Sequence, residues 1–269
     1  MNLTNRVALV TGAGSGIGRA TAVALARRGC HLALCDIDAA GLEESAWMLG
    51  TRGVRVTTHV LDVADREAVR ALPPAIHAAH KRLDVLVNNA GVATGGSFEQ
   101  VSEADFDWLM EINFGGVVRM TRAFLPLLRA SDEARIVNVS SIYGIVSPPG
   151  QVAYSSSKFA VRGFSNALRH ELEGSTVGVS VVHPGGVTTA IARSARCPLA
   201  PRLKMSNADA AWPSDCCGCH PRPPEKSSPA ASRRAPRASS SAPTPKSSPS
   251  SKRLAPVHYW RLLKKAASR

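Results

Sequence analysis

Short apolar runs alternate with segments of helical periodicity along the chain up to about residue 192. Apolar runs of this length are typical of strands that are buried on both faces of a sheet. The runs that predict strands lie at Arg6–Val10, His31–Cys35, Val54–Val60, Val85–Val87, Arg135–Val139 and Gly178–His183. The segments that predict helices lie at Gly18–Arg28, Ala39–Gly50, Asp65–His80, Glu103–Leu128 and Tyr154–Glu173. This alternation predicts an α/β fold, a doubly wound parallel Rossmann sheet with helices on both faces.

The alternation ends near residue 197, where the composition changes to Pro, Ser, Arg and Ala. Residues 197–252 hold too few apolar side chains to offset the conformational entropy that folding removes, so we expect a disordered, low-complexity basic segment. Residues 253–269 contain a short amphipathic stretch, VHYWRLLKK. The sequence therefore predicts three parts: a Rossmann-type domain over 1–196, the basic segment over 197–252 and the amphipathic segment over 253–269.

The net charge of +13 comes from 33 basic and 20 acidic side chains, and it is unevenly distributed. Residues 1–192 contain 17 side chains of each sign, so the whole excess lies after them. A basic tail is one alternative source of function, because it could bind nucleic acid or an anionic membrane. Trp212 is the only aromatic residue interleaved with its basic residues before Tyr259, which gives bases almost no side chain on which to stack. We expect no specific nucleic-acid partner.

Membrane and metal signals are weak in this sequence. No apolar stretch approaches the ~18 residues of a membrane span, and the opening MNLTNRVALVTG lacks the charged region and cleavage site of a secretory signal. We expect no membrane span and a cytoplasmic protein. Cys216, Cys217, Cys219 and His220 are crowded into five residues with two cysteines adjacent, and Cys197 is far away along the chain, so we predict no bound metal.

A glycine-rich stretch, TGAGSGIG over residues 11–18, joins the first predicted strand to the first helix. In that context glycines let the backbone approach a pyrophosphate, whose charge the helix N-terminus stabilises, although glycines also serve plain structural turns. Asp36 ends the second apolar run, where a carboxylate can accept hydrogen bonds from the adenosine ribose hydroxyls. Neither Ser15 nor Ile37 supplies a cation for a 2′-phosphate, so NAD is favoured over NADP. The alternative for Asp36 is an ordinary surface acid.

Tyr154 and Lys158 stand four residues apart at the start of a predicted helix and so share one face. A nearby ammonium stabilises phenolate and lowers the pKa of a tyrosine, which suits a general acid or base acting on an alcohol or ketone. Alone, such a pair is more often an exposed helix face. The interpretation therefore depends on the motifs that accompany it.

Those motifs follow one another along residues 5–192 in a characteristic order. They are Thr11–Gly18, the pair Asp62 and Val63, Asn88–Gly91, Asn113, Ser141, Tyr154 with Lys158, and Pro184–Thr189. With them the chain resembles the short-chain dehydrogenase/reductase family, classical type. The resemblance implies an oxidoreductase that moves a hydride between NAD (less favourably NADP) and a secondary alcohol or ketone, and it implies a homodimer or homotetramer.

The resemblance assigns four catalytic positions. Tyr154 would exchange a proton with the substrate oxygen, and Ser141 would polarise the carbonyl. Ser140 would point to the opposite face of the strand, so Ser141 is the serine that fits. Lys158 would lower the pKa of Tyr154 and hold the nicotinamide ribose, while Asn113 would support a proton relay.

The resemblance also assigns binding positions. The cofactor positions are Gly12, Ser15, Gly16, Ile17, Gly18, Asp36, Asp62, Val63, Asn89, Ala90, Gly91, Tyr154, Lys158, Pro184, Gly185, Val187 and Thr189. The substrate positions are Ser141, Ile142, Gln151 and Tyr154, with Ile145 and Val146 beside them. Because this wall is mostly apolar, it favours a lipophilic substrate over a sugar phosphate.

Residues 190–196 resemble the start of the family's lid, and residues 253–263 resemble the C-terminal end of a family member. Residues 197–252, between them, do not resemble the family. Our hypothesis is that residues 197–252 are translated out of frame between two compensating frameshifts, since a G+C-rich gene read off-frame yields mainly Pro, Arg, Ser, Ala and Cys. The basic charge would then say nothing about partners. A further alternative for the core is a Rossmann module that binds NAD without catalysis, although such a module need not keep Tyr154 and Lys158.

Overall fold

The computed structural model describes residues 1–50, 53–185, 191 and 194–196. The strands are β1 Val7–Thr11, β2 His31–Asp36, β3 Val56–Val60, β4 Val85–Asn88, β5 Ala134–Val139 and β6 Val177–Val182. The α-helices are α1 Gly16–Ala26, α2 Ala39–Leu49, α3 Arg66–His80, α4 Glu103–Met110, α5 Gly116–Arg129 and α6 Val152–Glu171. The predictions for residues 197–252 and 253–269 lie outside the described residues.

The six strands form one parallel sheet in the order β3-β2-β1-β4-β5-β6. The predicted doubly wound parallel sheet is thereby confirmed. The strand order reverses between β1 and β4, and ligands of open α/β sheets bind in the crevice outside the carboxyl ends of the strands at such a reversal. The fold places the end of β1 and the end of β4 at that crevice.

Both faces of the sheet are covered, which explains the continuous apolar runs. In β1, Val7 and Leu9 belong to one buried cluster with Phe124 of α5, while Ala8 and Val10 belong to the other. Successive side chains of a strand point to opposite faces, so a strand between two helical layers needs apolar residues throughout. In the part of the chain that the structure describes, no helix is long and apolar enough to cross a membrane.

The predicted helix Glu103–Leu128 is not continuous. A π-helical turn, Glu111–Gly115, separates α4 from α5, and it places Asn113 in the interior with no exposed surface. At the first residue of α5, a Cβ added to Gly116 would lie 2.7 Å from Val63 Cγ2, so glycine is needed for the close packing here. Single π-helical turns within helices frequently mark functional sites.

His80, the last residue of α3, should make the stability of the fold sensitive to acid. It is 6% exposed, its Nε2 lies 2.9 Å from Thr57 Oγ, and burial lowers its pKa from 6.5 to about 4. Between these two pH values the unfolded chain binds the extra proton, so the free energy of unfolding should fall as the pH falls from 6.5 to 4. The shift corresponds to at most about 3 kcal/mol.

Urea unfolding of the full chain at several pH values checks this prediction. His80→Phe should flatten the decline, although part of it should remain because burial also lowers the pKa of His59. His77→Phe, at an exposed position of the same helix, is the control. An unchanged slope in His80→Phe would contradict the prediction.

Candidate active site

The glycine-rich stretch lies at the strand-order reversal and is tied to the end of β4. The Thr11 hydroxyl accepts hydrogen bonds from the backbone N–H groups of Asn89 and Ala90, both at 3.0 Å. The Asn89 amide donates to the carbonyl oxygens of Thr11 (3.0 Å) and Gly12 (3.2 Å). The sequence analysis placed Asn89 against a cofactor, and the structure shows it holding the cradle in shape.

Two glycines of this stretch have no room for a side chain. A Cβ on Gly18 would collide with the carbonyl oxygen of Gly12 and lie 2.6 Å from Asn89 Nδ2. Gly12 itself has a φ of +65°, and its Cβ would lie 2.7 Å from the same amide nitrogen. Gly16, which opens α1, also has a positive φ of 51°. The cradle therefore needs glycine for close backbone approach and for its turn.

The N-terminus of α1 opens onto this cradle. Ser15 stands at the N-cap position, but within the described part of the chain its side chain makes no capping hydrogen bond to the helix. The first N–H groups of a helix have no partner inside the helix and carry partial positive charge. An uncapped helix end beneath a glycine cradle is suited to hold a phosphate group.

Asp36, at the end of β2, lies beside the cradle. Its Oδ2 accepts a hydrogen bond from the Gly14 backbone N–H (2.8 Å) and its Oδ1 accepts one from the Asp38 N–H (3.0 Å). The neighbouring Ile37 is 67% exposed and brings no charge. Arg19, which sequence reasoning did not single out, is paired with Glu44 at 2.7 Å. The side chain presented at this position is a carboxylate.

Asp62 and Val63 follow β3 near the same edge of the sheet. The Asp62 carboxylate accepts a hydrogen bond from the Ala64 N–H (2.8 Å), which fixes a turn. Val63 is 6% exposed, and its carbonyl oxygen accepts a hydrogen bond from Arg119 Nε (2.9 Å). These hydrogen bonds hold both residues in place after β3. Their contact with the adenine stays a prediction.

Three predicted catalytic side chains come together from separate elements. Ser141 lies just after β5, whereas α6 carries Tyr154 and Lys158. The hydroxyls of Ser141 and Tyr154 are hydrogen-bonded. Lys158 is 3% exposed, and its Nζ lies 5.5 Å from the Tyr154 ring centroid and donates to the Val139 carbonyl (3.2 Å). Ser140 points away, since its hydroxyl donates to the Lys158 carbonyl (2.9 Å). The choice of Ser141 over Ser140 agrees with this geometry.

The pKa values of this group differ from the sequence-based expectation. Burial raises the pKa of Tyr154, against a lowering effect of the Ser141 hydrogen bond, whereas we expected Lys158 to lower it. Burial lowers the pKa of Lys158 to about 8. Burial therefore has the largest effect on the pKa of Tyr154, even with the Lys158 ammonium 5.5 Å from the centroid of its ring.

Asn113 connects the π-helical turn to the tyrosine. Its amide oxygen accepts from the Val92 N–H (2.8 Å), and its amide nitrogen donates to the Val92 carbonyl (2.9 Å) and to Ser157 Oγ (3.1 Å). Ser157 in turn donates to the Tyr154 carbonyl (2.8 Å). Sequence reasoning missed the contacts of Ser157, because three consecutive serines follow Tyr154 and no pattern distinguishes them.

Gly91 completes the contact between these groups. A Cβ at Gly91 would lie 3.0 Å from Asn113 Oδ1 and 3.5 Å from Lys158 Nζ. The strand-end turn at Asn88–Gly91 therefore passes directly beside the amide and the ammonium. Ala90, next to it, is partly buried against the core.

The expected substrate wall borders the serine and the tyrosine. Ile142 opens a 3₁₀ turn, Ile142–Gly144, and its N–H donates to the Pro184 carbonyl (2.8 Å). Since a carbonyl oxygen only accepts, His183 Nδ1 must donate to Ser141 O at 3.0 Å. Partly buried positions along this wall are Ile142, Ile145, Val146 and Gln151.

The remaining predicted cofactor positions follow β6. Pro184 is partly buried and Gly185 is exposed. Val187 and Thr189 lie outside the described residues. The structure therefore brings together the cradle, Asp36, the Asn88–Gly91 turn and the serine, tyrosine and lysine around one crevice. This arrangement can hold a dinucleotide with a protonatable phenol at one end.

The sequence and the fold are similar to known proteins. A family model described as short chain dehydrogenase matches residues 6–198. SadH of Mycobacterium tuberculosis is 45% identical over 192 residues, which cover 71% of this chain and 70% of SadH. A short chain dehydrogenase/reductase from Burkholderia phymatum in complex with NAD superimposes with a TM-score of 0.70 at 36% identity, covering 72% of this chain and 70% of that chain.

A second solved structure extends the comparison to another coenzyme. An alcohol dehydrogenase from the archaeon Thermococcus sibiricus, complexed with 5-hydroxy-NADP, superimposes with a TM-score of 0.67 at 33% identity. The match covers 71% of this chain and 80% of that chain. Of these two similar structures, one thus holds NAD and the other an NADP-type dinucleotide.

Proposed function

Because the chain belongs to the short-chain dehydrogenase/reductase family of oxidoreductases, we propose that it transfers a hydride between NAD and a secondary alcohol or ketone. The observation that carries this proposal is the convergence of Ser141, Tyr154 and Lys158 beside an uncapped helix end and a glycine cradle. A module that only bound the dinucleotide would have no need of a buried lysine beneath a tyrosine that contacts a serine hydroxyl.

The residues present fit a dinucleotide. Gly12 and Gly18 have no side chains, so the protein backbone can pack closely here and approach a pyrophosphate. The first turn of α1 offers N–H donors that have no partner inside the helix. Asp36 would accept hydrogen bonds from the adenosine ribose, and Lys158 would hold the nicotinamide ribose. When bound, the nicotinamide supplies or accepts the hydride.

The protein's own contribution is to hold the substrate oxygen and to move a proton. In the direction of reduction, the Tyr154 hydroxyl donates its proton to the carbonyl oxygen as the carbonyl carbon receives the hydride. Ser141 donates a hydrogen bond to the same oxygen and so stabilises the charge that develops there. Asn113 anchors the relay that returns a proton towards Lys158. Below a pH of about 8, Lys158 is protonated, and its ammonium would hold the nicotinamide ribose.

The substrate wall supports a lipophilic alcohol or ketone. Ile142, Ile145 and Val146 present apolar groups beside the serine, and Gln151 adds one amide. A sugar phosphate would leave its charge unpaired against these side chains, which is costly in a partly buried site. The full chain, incubated with NADH and a panel of lipophilic ketones, should consume NADH. A chain that binds NADH and consumes none with any ketone would support the non-catalytic alternative instead.

Asp36 should decide the choice between the two coenzymes. Its carboxylate would repel the 2′-phosphate of NADPH, and Ile37 brings no compensating cation. Asp36→Ala should weaken NADH binding by about tenfold and reduce the ratio of NADH affinity to NADPH affinity, since one partly buried hydrogen-bond acceptor for the ribose is lost. Titration of both reduced coenzymes by fluorescence measures this. Asp38→Ala, which removes the next acid along the chain, is the matched control.

Equal affinity of the wild-type chain for NADH and NADPH would contradict the preference for NAD. It would leave the hydride-transfer proposal intact, because members of either coenzyme type share the remaining site. A stronger binding of NADPH than of NADH would contradict it as well.

We propose the same division of the chain as the sequence suggested. The family match ends at residue 198, which supports a catalytic domain over 1–196 and a change of reading frame near 197. The coding DNA tests this: shifting the frame between codons about 197 and 252 should restore a helical segment followed by a strand. A gene that gives neither in any frame would contradict it.

A homodimer or homotetramer also belongs to the proposal. A groove of about 430 Å³ lies between α3 and α5, and its apolar lining includes Met110, Phe114 and Val118. Charged side chains also line this groove, namely Arg66, Arg70, Glu111, Arg119 and Arg122. A groove on the outer helices that combines apolar and charged side chains is a surface that a second copy of the chain could cover.

A further inference from the structure

The loop Val92–Gly96 is a link between the two sides of the site. At its start, Val92 is held through both backbone groups by the Asn113 amide. At its end, the Gly96 N–H donates to the Gly150 carbonyl (3.2 Å), next to Gln151 of the substrate wall. Whatever fixes the middle of this loop therefore fixes the distance between the proton relay and the substrate wall.

Arg196 fixes the middle of the loop through its backbone. Its N–H donates to the Ala93 carbonyl (3.1 Å), and its own carbonyl accepts from the Gly95 N–H (3.0 Å). These two bonds form a parallel bridge between Arg196 and Thr94, a residue that is 3% exposed. Arg196 thus pairs with the loop at one point.

The Arg196 side chain then crosses to α4. Its guanidinium carbon lies 3.6 Å from the centroid of the Trp108 ring, a close cation–π contact, and its NH1 lies 2.7 Å from Asp105 Oδ1. Asp105 is itself held by the Ser102 hydroxyl (2.9 Å) at the N-cap of α4, and the Arg196 hydrogen bond lowers its pKa. The planar guanidinium suits both contacts, because it stacks on an aromatic face and donates in its own plane.

We propose that Arg196 is a positioning residue for the substrate, which clamps the loop Val92–Gly96 to α4 and so sets the width of the substrate side of the site. The inference rests on the proposed function for its substrate, but the clamp consists of contacts within the described residues. Arg196 does not contact the glycine cradle, Asp36 or Tyr154 in the contacts described above. Its influence should therefore fall on substrate binding and leave coenzyme binding alone.

Steady-state kinetics test the proposal through the separation of KM from kcat. Arg196→Ala should raise the KM for the best ketone of the panel by about tenfold, with kcat changed less than twofold and the NADH dissociation constant unchanged. Arg196→Lys keeps the charge and loses the planar stacking, so its KM should lie between the KM of the wild type and that of Arg196→Ala. Trp108→Leu damages the same clamp from the other side and should reproduce the effect of Arg196→Ala.

Arg28→Ala is the control, since it removes an exposed arginine just after the end of α1. Kinetics of Arg196→Ala equal to the wild type would overturn the proposal. A parallel loss of kcat, NADH affinity and melting temperature would also overturn it, because the residue would then serve the fold as a whole.

Hydrogen exchange separates this inference from the proposed function. In Arg196→Ala the backbone amides of Val92–Gly96 should exchange at least several times faster, while those of Gly12–Gly18 keep their wild-type rates. Unchanged exchange in the loop overturns the clamp whether or not the enzyme is active. A wild-type chain that reduces no ketone contradicts the proposed function, and the exchange result still decides whether Arg196 holds the loop.

Discussion

Replacing Tyr154 by phenylalanine should abolish turnover and leave NADH binding unchanged. The variant keeps the ring over Lys158, 5.5 Å from its Nζ, and the edge contact with the Tyr143 ring, whose centroid is 6.1 Å away. It loses only the hydroxyl that bonds to Ser141 and would donate the proton. Since proton transfer by a positioned side chain contributes roughly 10²–10⁴-fold to a rate, kcat should fall by at least that factor.

Two measurements on the same sample check this prediction. NADH consumption with the best ketone gives kcat, and NADH fluorescence gives the dissociation constant. Tyr143→Phe removes a hydroxyl from the neighbouring ring and should lose far less activity. Turnover of Tyr154→Phe at the wild-type rate would show that another group supplies the proton.

Replacing Gly18 by alanine should remove NADH binding. The new Cβ would collide with the Gly12 carbonyl oxygen and lie 2.6 Å from the Asn89 amide nitrogen, and neither group can retreat without opening the turn beneath the cofactor. Because the backbone must approach the pyrophosphate closely, we expect a loss of at least about a hundredfold in affinity, which is about 2.7 kcal/mol.

The control for this variant is Gly163→Ala. Gly163 lies within α6, where an added Cβ meets nothing within 4 Å, and alanine favours a helix over glycine by about 1 kcal/mol. Thermal unfolding with and without NADH reads out both variants. NADH should raise the melting temperature of the wild type and of Gly163→Ala, but not that of Gly18→Ala. Full NADH stabilisation of Gly18→Ala would contradict the role given to the cradle.

The strands and most helices could be predicted from sequence because both faces of the sheet are buried. In β1 all five side chains are buried, so the apolar run has no interruption and the sequence predicts a buried strand there. The interruption between α4 and α5 could not be predicted in this way. The apolar positions of Glu103–Leu128 keep a helical period on both sides of the π-helical turn, which inserts a residue without breaking the pattern.

Contacts between distant elements could not be predicted, either in the site or at the opposite edge of the sheet. Asp84, at the amino end of β4, is fully buried and accepts hydrogen bonds from Arg6 (3.1 Å), Arg82 (2.6 Å) and Ser131 (2.6 Å). These residues share no local motif, and only the parallel pairing of β1, β4 and β5 brings them together. Ser157 and Arg196 are missed for the same reason, since their partners lie far away along the chain.

The charge of +13 is a case in which position matters more than magnitude. The residues that form the site come from the part of the chain with balanced charge, and the basic excess belongs to residues after 192. That the basic tail binds nucleic acid or an anionic membrane stays an alternative prediction. Deletion of residues 197–269 tests it, because retention on a nucleic-acid column that survives the deletion cannot come from the tail.

The most direct test of the proposed function follows the hydride itself. The full chain is incubated with NADH carrying deuterium at the transferable C4 position and with the lipophilic ketone panel, and the alcohols formed are analysed by mass spectrometry. The account predicts an alcohol with deuterium on its carbinol carbon, formed by the wild type and not by Tyr154→Phe. An alcohol without deuterium, or its formation by Tyr154→Phe at the wild-type rate, would contradict it.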